Sequence, residues 1–213
     1  MPGVAATQTA FKRKSLHADE RDSPRVKEAR SSYLGKILDW VLERFLFIDE
    51  AGVNLTLTRH SGRASPGVRV HEGVPQNYGQ NISMLAALGA KGLRAPMHID
   101  GAVDGEVFSV YIRDVLSPEL KKGDIVVMDN LSSHKVSGIE EMILARGARL
   151  EYLPPYSPDL NPIEQCWSKV KTFLRKKKAR TKRALMAAIK KAFSTITESD
   201  ARAWFQHSGY VLH

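Results

Sequence analysis

Two short apolar runs each stop on an acid: "FLFID", Phe45 to Asp49, and "IVVMD", Ile125 to Asp129. Four unbroken apolar residues suit a strand buried on both faces, hence the middle of a sheet covered by helices. Active sites of open α/β sheets lie at the carboxyl ends of such strands, which is where Asp49 and Asp129 stand. An aspartate in that place also has a plain role, because its side chain readily accepts backbone hydrogen bonds in a turn. Two on neighbouring strands are a different matter. Like charges brought together are costly unless a cation lies between them, so the pair points to a metal site.

The remaining pattern builds one α/β unit. The chain has 213 residues, 43% of them hydrophobic, enough for a single substantial core. Residues 1–40 read as a polar arm closed by one helix, into which Leu34, Ile37, Leu38 and Val41 bring apolar positions at helical spacing. "VNLTLTR" alternates as a half-exposed strand does, and "NISMLAALG" and "APMHIDG" supply two further strands around a Gly-containing turn. "GEVFSVYIRDVLSPEL" reads as a helix with Val107, Tyr111, Val115 and Leu116 along one side, and "SGIEEMILARGA" as another, closed by Gly147. "RLEYLP" is a last strand before a helical ending. The order predicts an α/β domain over residues 41–206, on a mixed sheet flanked by helices, with 207–213 as a tail.

Between the last strand and the helices lies "LPPYSPDLNPIEQCW", Leu153 to Trp167. Pro154, Pro155, Pro158 and Pro162 each fix a φ angle and bias the preceding residue to extended backbone, so this loop holds one path at little entropic cost. Pro162 suits the first helical position, which makes Asn161 the N-cap and Glu164 the third residue of the helix. Ile163, Trp167, Val170 and Leu174 then form the buried stripe, Trp167 as a core residue, with Glu164 beside it at the sheet edge. An N3 glutamate below an Asn cap has a purely structural use as half of a capping box. The company of Asp49 and Asp129 favours a second use. Three carboxylates from two strand ends and a following helix make the oxygen-rich donor set that Mg²⁺ or Mn²⁺ prefers, and two such ions serve phosphodiester chemistry.

Charge names a partner class. The formal net charge is +9, and from Lys169 to Lys191 there are eleven Lys and Arg with no Asp or Glu. A solvated helix face is one account of such a run; a phosphate backbone, of DNA or RNA, is the other. Lys169, Lys171, Arg175, Lys176, Lys177 and Lys178 are the candidate DNA contacts. A lone cysteine, Cys166, excludes an internal disulfide and a cysteine-rich zinc site and fits a reducing cytoplasm. No apolar run approaches the roughly 18 residues of a membrane helix, and the N-terminus has no signal-peptide core.

"FIDEAG", "VVMDNLSSHK" and "LPPYSPDLNPIEQCWSKVK" together resemble the three acidic blocks of the bacterial insertion-sequence transposases related to the mariner superfamily. The similarity runs from about Lys14 to Ile196. It implies an RNase H-like catalytic domain in which Asp49, Asp129 and Glu164 hold two Mg²⁺ or Mn²⁺ ions. Glu164 follows Asp129 by 35 residues, a separation that group shows. It also implies DNA cleavage at transposon ends, joining of the freed 3′ hydroxyl to target DNA, a homodimer when active, and residence in the bacterial cytoplasm at the nucleoid.

Asn130 and His134 in "DNLSSH" match the family's motif and are candidates for contacting DNA or orienting Asp129, although turn and helix-start roles suit them equally. Glu50 faces away from Asp49 by strand alternation and is the weaker candidate. Complete relatives carry N-terminal helix-turn-helix domains, whereas some 40 residues precede the first block here. The expectation is therefore a catalytic half: a truncated copy, a second frame of a split gene, or an excised domain. Two other functions remain open, a catalytically silent remnant that binds DNA or dimerises to inhibit a full-length relative, and a structure-specific nuclease.

Overall fold

The computed structural model describes residues 18–59, 61–131 and 136–210. Five strands form one mixed sheet: β1 Phe45–Val53, β2 Ile82–Gly89, β3 Gly92–Asp100, β4 Ile125–Met128 and β5 Arg149–Tyr152, in the order β3-β2-β1-β4-β5. The β1–β2 and β2–β3 pairs are antiparallel, while β4 runs parallel to both β1 and β5. Among the described residues six α-helices flank the sheet: α1 Pro24–Ile37, α2 Gly105–Val110, α3 Ile139–Leu144, α4 Ile163–Lys177, α5 Lys182–Phe193 and α6 Glu198–His207. This is the α/β, RNase H-like mixed sheet expected.

Strand alternation divides the core in two. Phe45 and Phe47 of β1 and Val127 of β4 join a cluster with Ile163, Trp167, Val170 and Leu174 of α4, whereas Leu46, Ile48, Val126 and Met128 pack with Phe108, Tyr111 and Ile112 on the opposite face. The period of two then assigns the acids. Asp49 shares the α4 face with Phe47, and Asp129, one residue beyond β4, follows Val127. Phe47 is paired with Val127; two residues further on, Asp129 follows the end of β4, whereas Asp49, expected at a strand end, lies within β1, which continues to Val53 because it stays paired with β2.

Three local expectations are corrected. "VNLTLTR" is not a separate strand: β1 runs on through Val53, and Asn54 ends it, because its Oδ1 accepts hydrogen bonds from the Thr56 N–H at 3.1 Å and hydroxyl at 2.7 Å. An Asn side chain offers the backbone an alternative to the ladder. In the N-terminal helix the buried face is Val26, Tyr33 and Ile37, so Leu34 falls on the solvent side, while Leu38 and Val41 lie beyond the helix, which ends at Ile37, and are exposed. The third concerns the sequence run with no acids among its cations, whose charges are partly compensated from elsewhere in the chain. Lys178 and Arg180 reach Glu72, Lys182 reaches Asp100, and Lys169 reaches Asp200.

Candidate active site

Asp49 lies inside β1, is 8% exposed, and has both carboxylate oxygens engaged. Oδ1 accepts the Glu50 backbone N–H at 2.9 Å, and Oδ2 accepts the indole Nε1–H of Trp167 at 3.2 Å. Both donors are neutral. Burial first, then the charges of Glu164 and Glu50 and more weakly of Asp129, together push the Asp49 carboxyl up to about 8, against the lowering effect of the Glu50 N–H. An acid so placed is ionised at neutral pH only in part unless positive charge arrives.

Asp129 is half-buried, with Oδ1 accepting the Leu131 N–H at 3.2 Å, an aspartate turn that fixes the residue after β4. Asn130 is exposed beside it. His134 lies outside the described residues. Glu50 is half-buried, and alternation sets it on the face away from α4, yet its charge still reaches Asp49.

Glu164 is exposed in the first turn of α4. Asn161 is extended (φ −108°, ψ 93°) and Pro162 helical (φ −64°, ψ −21°), so the chain enters the helix at Pro162. The capping box does not form. The Asn161 N–H donates to the Pro158 carbonyl at 3.0 Å, and Asn161 Oδ1 is buried without a hydrogen-bond partner. A complete capping box does exist at α6, between Thr197 and Asp200, which shows by contrast what Glu164 is not doing.

The proline loop is anchored from the N-terminal side. Arg30 of α1 donates to both Asp159 oxygens, at 3.0 and 2.7 Å, and to the Ser157 hydroxyl at 2.7 Å, while Arg21 reaches Asp159 at 3.0 Å. Burial alone would raise the Asp159 carboxyl, but Arg30 and Arg21 hold it below its ordinary value. Tyr210 donates to the Leu160 carbonyl at 2.8 Å and shares a 3.0 Å hydrogen bond with Tyr33. Beyond this loop opens a cleft of about 560 Å³, with Asp129, Asn130, Asn161 and Glu164 on its wall and Arg25 at its side.

Among the described residues no three His, Cys, Asp or Glu side chains already stand as a closed ion cage. Glu164 and Asp129 nonetheless stand near enough to Asp49 for their charges to act on its carboxyl. The donor set, hard oxygen ligands around a buried acid that only neutral groups hydrogen-bond, fits Mg²⁺ or Mn²⁺. Of the candidate DNA contacts, Lys176, Lys177 and Lys178 are exposed at the end of α4, and Lys169, Lys171 and Arg175 are half-buried. Lys177 stacks over Phe173 at 5.5 Å. Two features escaped the sequence: the Trp167 hydrogen bond, and the arginines of α1. A buried indole N–H usually finds a partner, and Trp167 stands one turn below Glu164 on the sheet-facing stripe, so that partner could have been sought at the strand end.

Residues 44–186 match the family model described as a DDE superfamily endonuclease. The chain belongs to the DDE superfamily endonucleases. Its fold is similar to that of the Mos1 mariner transposase paired-end complex with Mn, with a TM-score of 0.74 and 14% identity over 95% of this chain and 64% of that one. The Mos1 complex with the left transposon end gives 0.72 and 15%, over 93% and 62%. The isolated Mos1 catalytic domain gives 0.61 and 13%, over 92% and 91%. The chain thus spans under two thirds of the longer Mos1 chains. No curated protein matches it by sequence. In this DDE endonuclease Asp49 lies within β1, Asp129 just beyond β4 and Glu164 in the first turn of α4.

Proposed function

We propose that this chain is a transposase catalytic domain of the mariner-related bacterial insertion-sequence group, cutting double-stranded DNA at transposon ends and joining the freed 3′ hydroxyl to target DNA. The observation that supports it is a buried acid, Asp49, which feels the charges of Glu164 and Asp129 and is in need of positive charge. Asp49, Asp129 and Glu164 would hold Mg²⁺ or Mn²⁺, in two ions. Bound there, such ions make a water or hydroxyl oxygen a better nucleophile and stabilise the departing oxygen.

The protein's own part is placement. β1 carries one carboxylate and the end of β4 the second; the proline loop aims the third. In cleavage, water attacks a phosphorus and the bond to the 3′ oxygen breaks, leaving a 3′ hydroxyl and a 5′ phosphate. In joining, that hydroxyl replaces water and one phosphodiester is exchanged for another. The exposed lysines at the end of α4 neutralise backbone phosphates, and the active form is a homodimer holding two ends.

The test is to incubate the chain with supercoiled plasmid and a duplex bearing a free 3′ hydroxyl, in Mn²⁺. Nicked circles and covalently joined duplex are expected, both lost in Asp129→Asn. Nicking without any joined product would reduce the reading to a nuclease, and neither product would leave only a DNA-binding remnant.

A further inference from the structure

Glu164 and Trp167 are three residues apart on α4, so they occupy neighbouring positions one turn apart on the helix. Their destinations differ. Glu164 is exposed at the cleft, whereas Trp167 is 2% exposed and points its Nε1–H at Asp49 Oδ2, 3.2 Å away. The ring itself is held: it packs in the α4-side core, with the Phe193 ring centroid at 6.4 Å and tilted 54°. A clamped indole thus offers one donor along a fixed line.

The other Asp49 oxygen is taken by the Glu50 N–H, whose position is set by the sheet. One neutral donor on each oxygen stops rotation about the Cβ–Cγ bond. Each oxygen keeps lone-pair capacity for another partner, because a carboxylate has about four acceptor sites and only two are spent. A cationic donor would have neutralised the acid and competed with a metal; an indole N–H orients it and leaves its charge.

We infer that Trp167 is a positioning residue, whose indole N–H holds the Asp49 carboxylate in the orientation that binds the divalent ion and ties that orientation to the helix carrying Glu164. The inference rests on the metal reading above. Partners that orient a metal's ligands govern its affinity, and losing one typically costs about 10- to 100-fold. Trp167 acts through Asp49 and has no contact with the reacting phosphate.

The test is Trp167→Phe, which keeps a ring in the core and removes the donor. The loss of ring volume lowers melting in EDTA, with or without a positioning role. The discriminating readout is the Mn²⁺ midpoint of a direct binding titration, because stabilisation by a ligand grows with the logarithm of its concentration and has no midpoint of its own. It should increase by about tenfold or more, while cleavage at saturating Mn²⁺ largely recovers. An unchanged Mn²⁺ midpoint overturns the inference. Asp49→Asn and Glu164→Gln are measured alongside; if both keep the wild-type midpoint, the metal reading itself has failed.

Should Trp167→Phe not fold, Trp167 can report on itself in a chain carrying Trp40→Phe and Trp204→Phe, which leaves it the sole indole. Its emission should change on Mg²⁺ titration, and the change should vanish when Asp49→Asn is added. Emission indifferent to Mg²⁺ contradicts a contact that the ion must feel.

Discussion

At the scale of single residues, Asp49 carries the largest electrostatic cost. Its carboxyl, ordinarily near 3.8, sits at about 8 in the fold. Between those values the native chain keeps a proton that the unfolded chain has released, so stability falls as pH rises through that window. In EDTA, urea midpoints should therefore drop between pH 5 and 8.5 by the equivalent of a few kcal/mol at most, and Asp49→Asn should flatten the drop. A drop of equal size in Asp49→Asn would place the titrating group elsewhere. Mn²⁺ must displace the same proton, so its binding should tighten as pH rises toward 8. Asn161 makes a smaller prediction. Its Oδ1 has no partner, so Asn161→Ala should cost less than the ~1 kcal/mol of a working cap; a loss of 2 kcal/mol in denaturation would show a bond that the fold conceals.

At the scale of elements, α1 supports the loop that leads to Glu164, because Arg30 holds Asp159 and Ser157, and Tyr33 meets Tyr210, which donates to the Leu160 carbonyl. Arg30→Ala breaks a two-pronged ion pair that is 15% exposed on its arginine side. About 1 kcal/mol of stability should be lost after solvent screening is counted. Cleavage should fall further than this loss explains, as the helix start loses its alignment; cleavage unaffected at full folding would make α1 a passive tether. The basic end of α4 divides by partner. Lys176 and Lys177 are exposed, whereas Lys178 is paired with Glu72 at 2.7 Å. Neutralising the first two should lower the salt dependence of DNA binding by roughly one unit of log–log slope per lost phosphate contact, and neutralising Lys178 should change it less. Equal slopes in all variants would leave the segment as a solvated face.

At the scale of the whole molecule, the sheet and the acids were legible because both depend on period and position. Unbroken apolar runs marked β1 and β4, and Asp129 does follow the end of β4, but β1 continues past Asp49 to Val53, which an apolar run cannot show. Four prolines marked the path to Glu164. Interactions across the fold were not legible. Glu72 and Lys178 are 106 positions apart, so a local count of charge could not see them pair, and an apolar stripe says that Trp167 is buried without saying where its N–H points. Asn54 reads as one more residue of an alternating strand until its side chain is seen to close a turn. The assembled account makes Glu164 a ligand with no capping duty, which one paired measurement addresses. Denaturation midpoints and Mn²⁺-dependent plasmid cleavage rates are compared for wild type and Glu164→Gln. The variant should fold within about 0.5 kcal/mol of wild type, as an exposed substitution does, and cleave no faster than background. Normal cleavage by a fully folded Glu164→Gln chain would contradict the assignment of the acidic triad and, with it, the proposed chemistry.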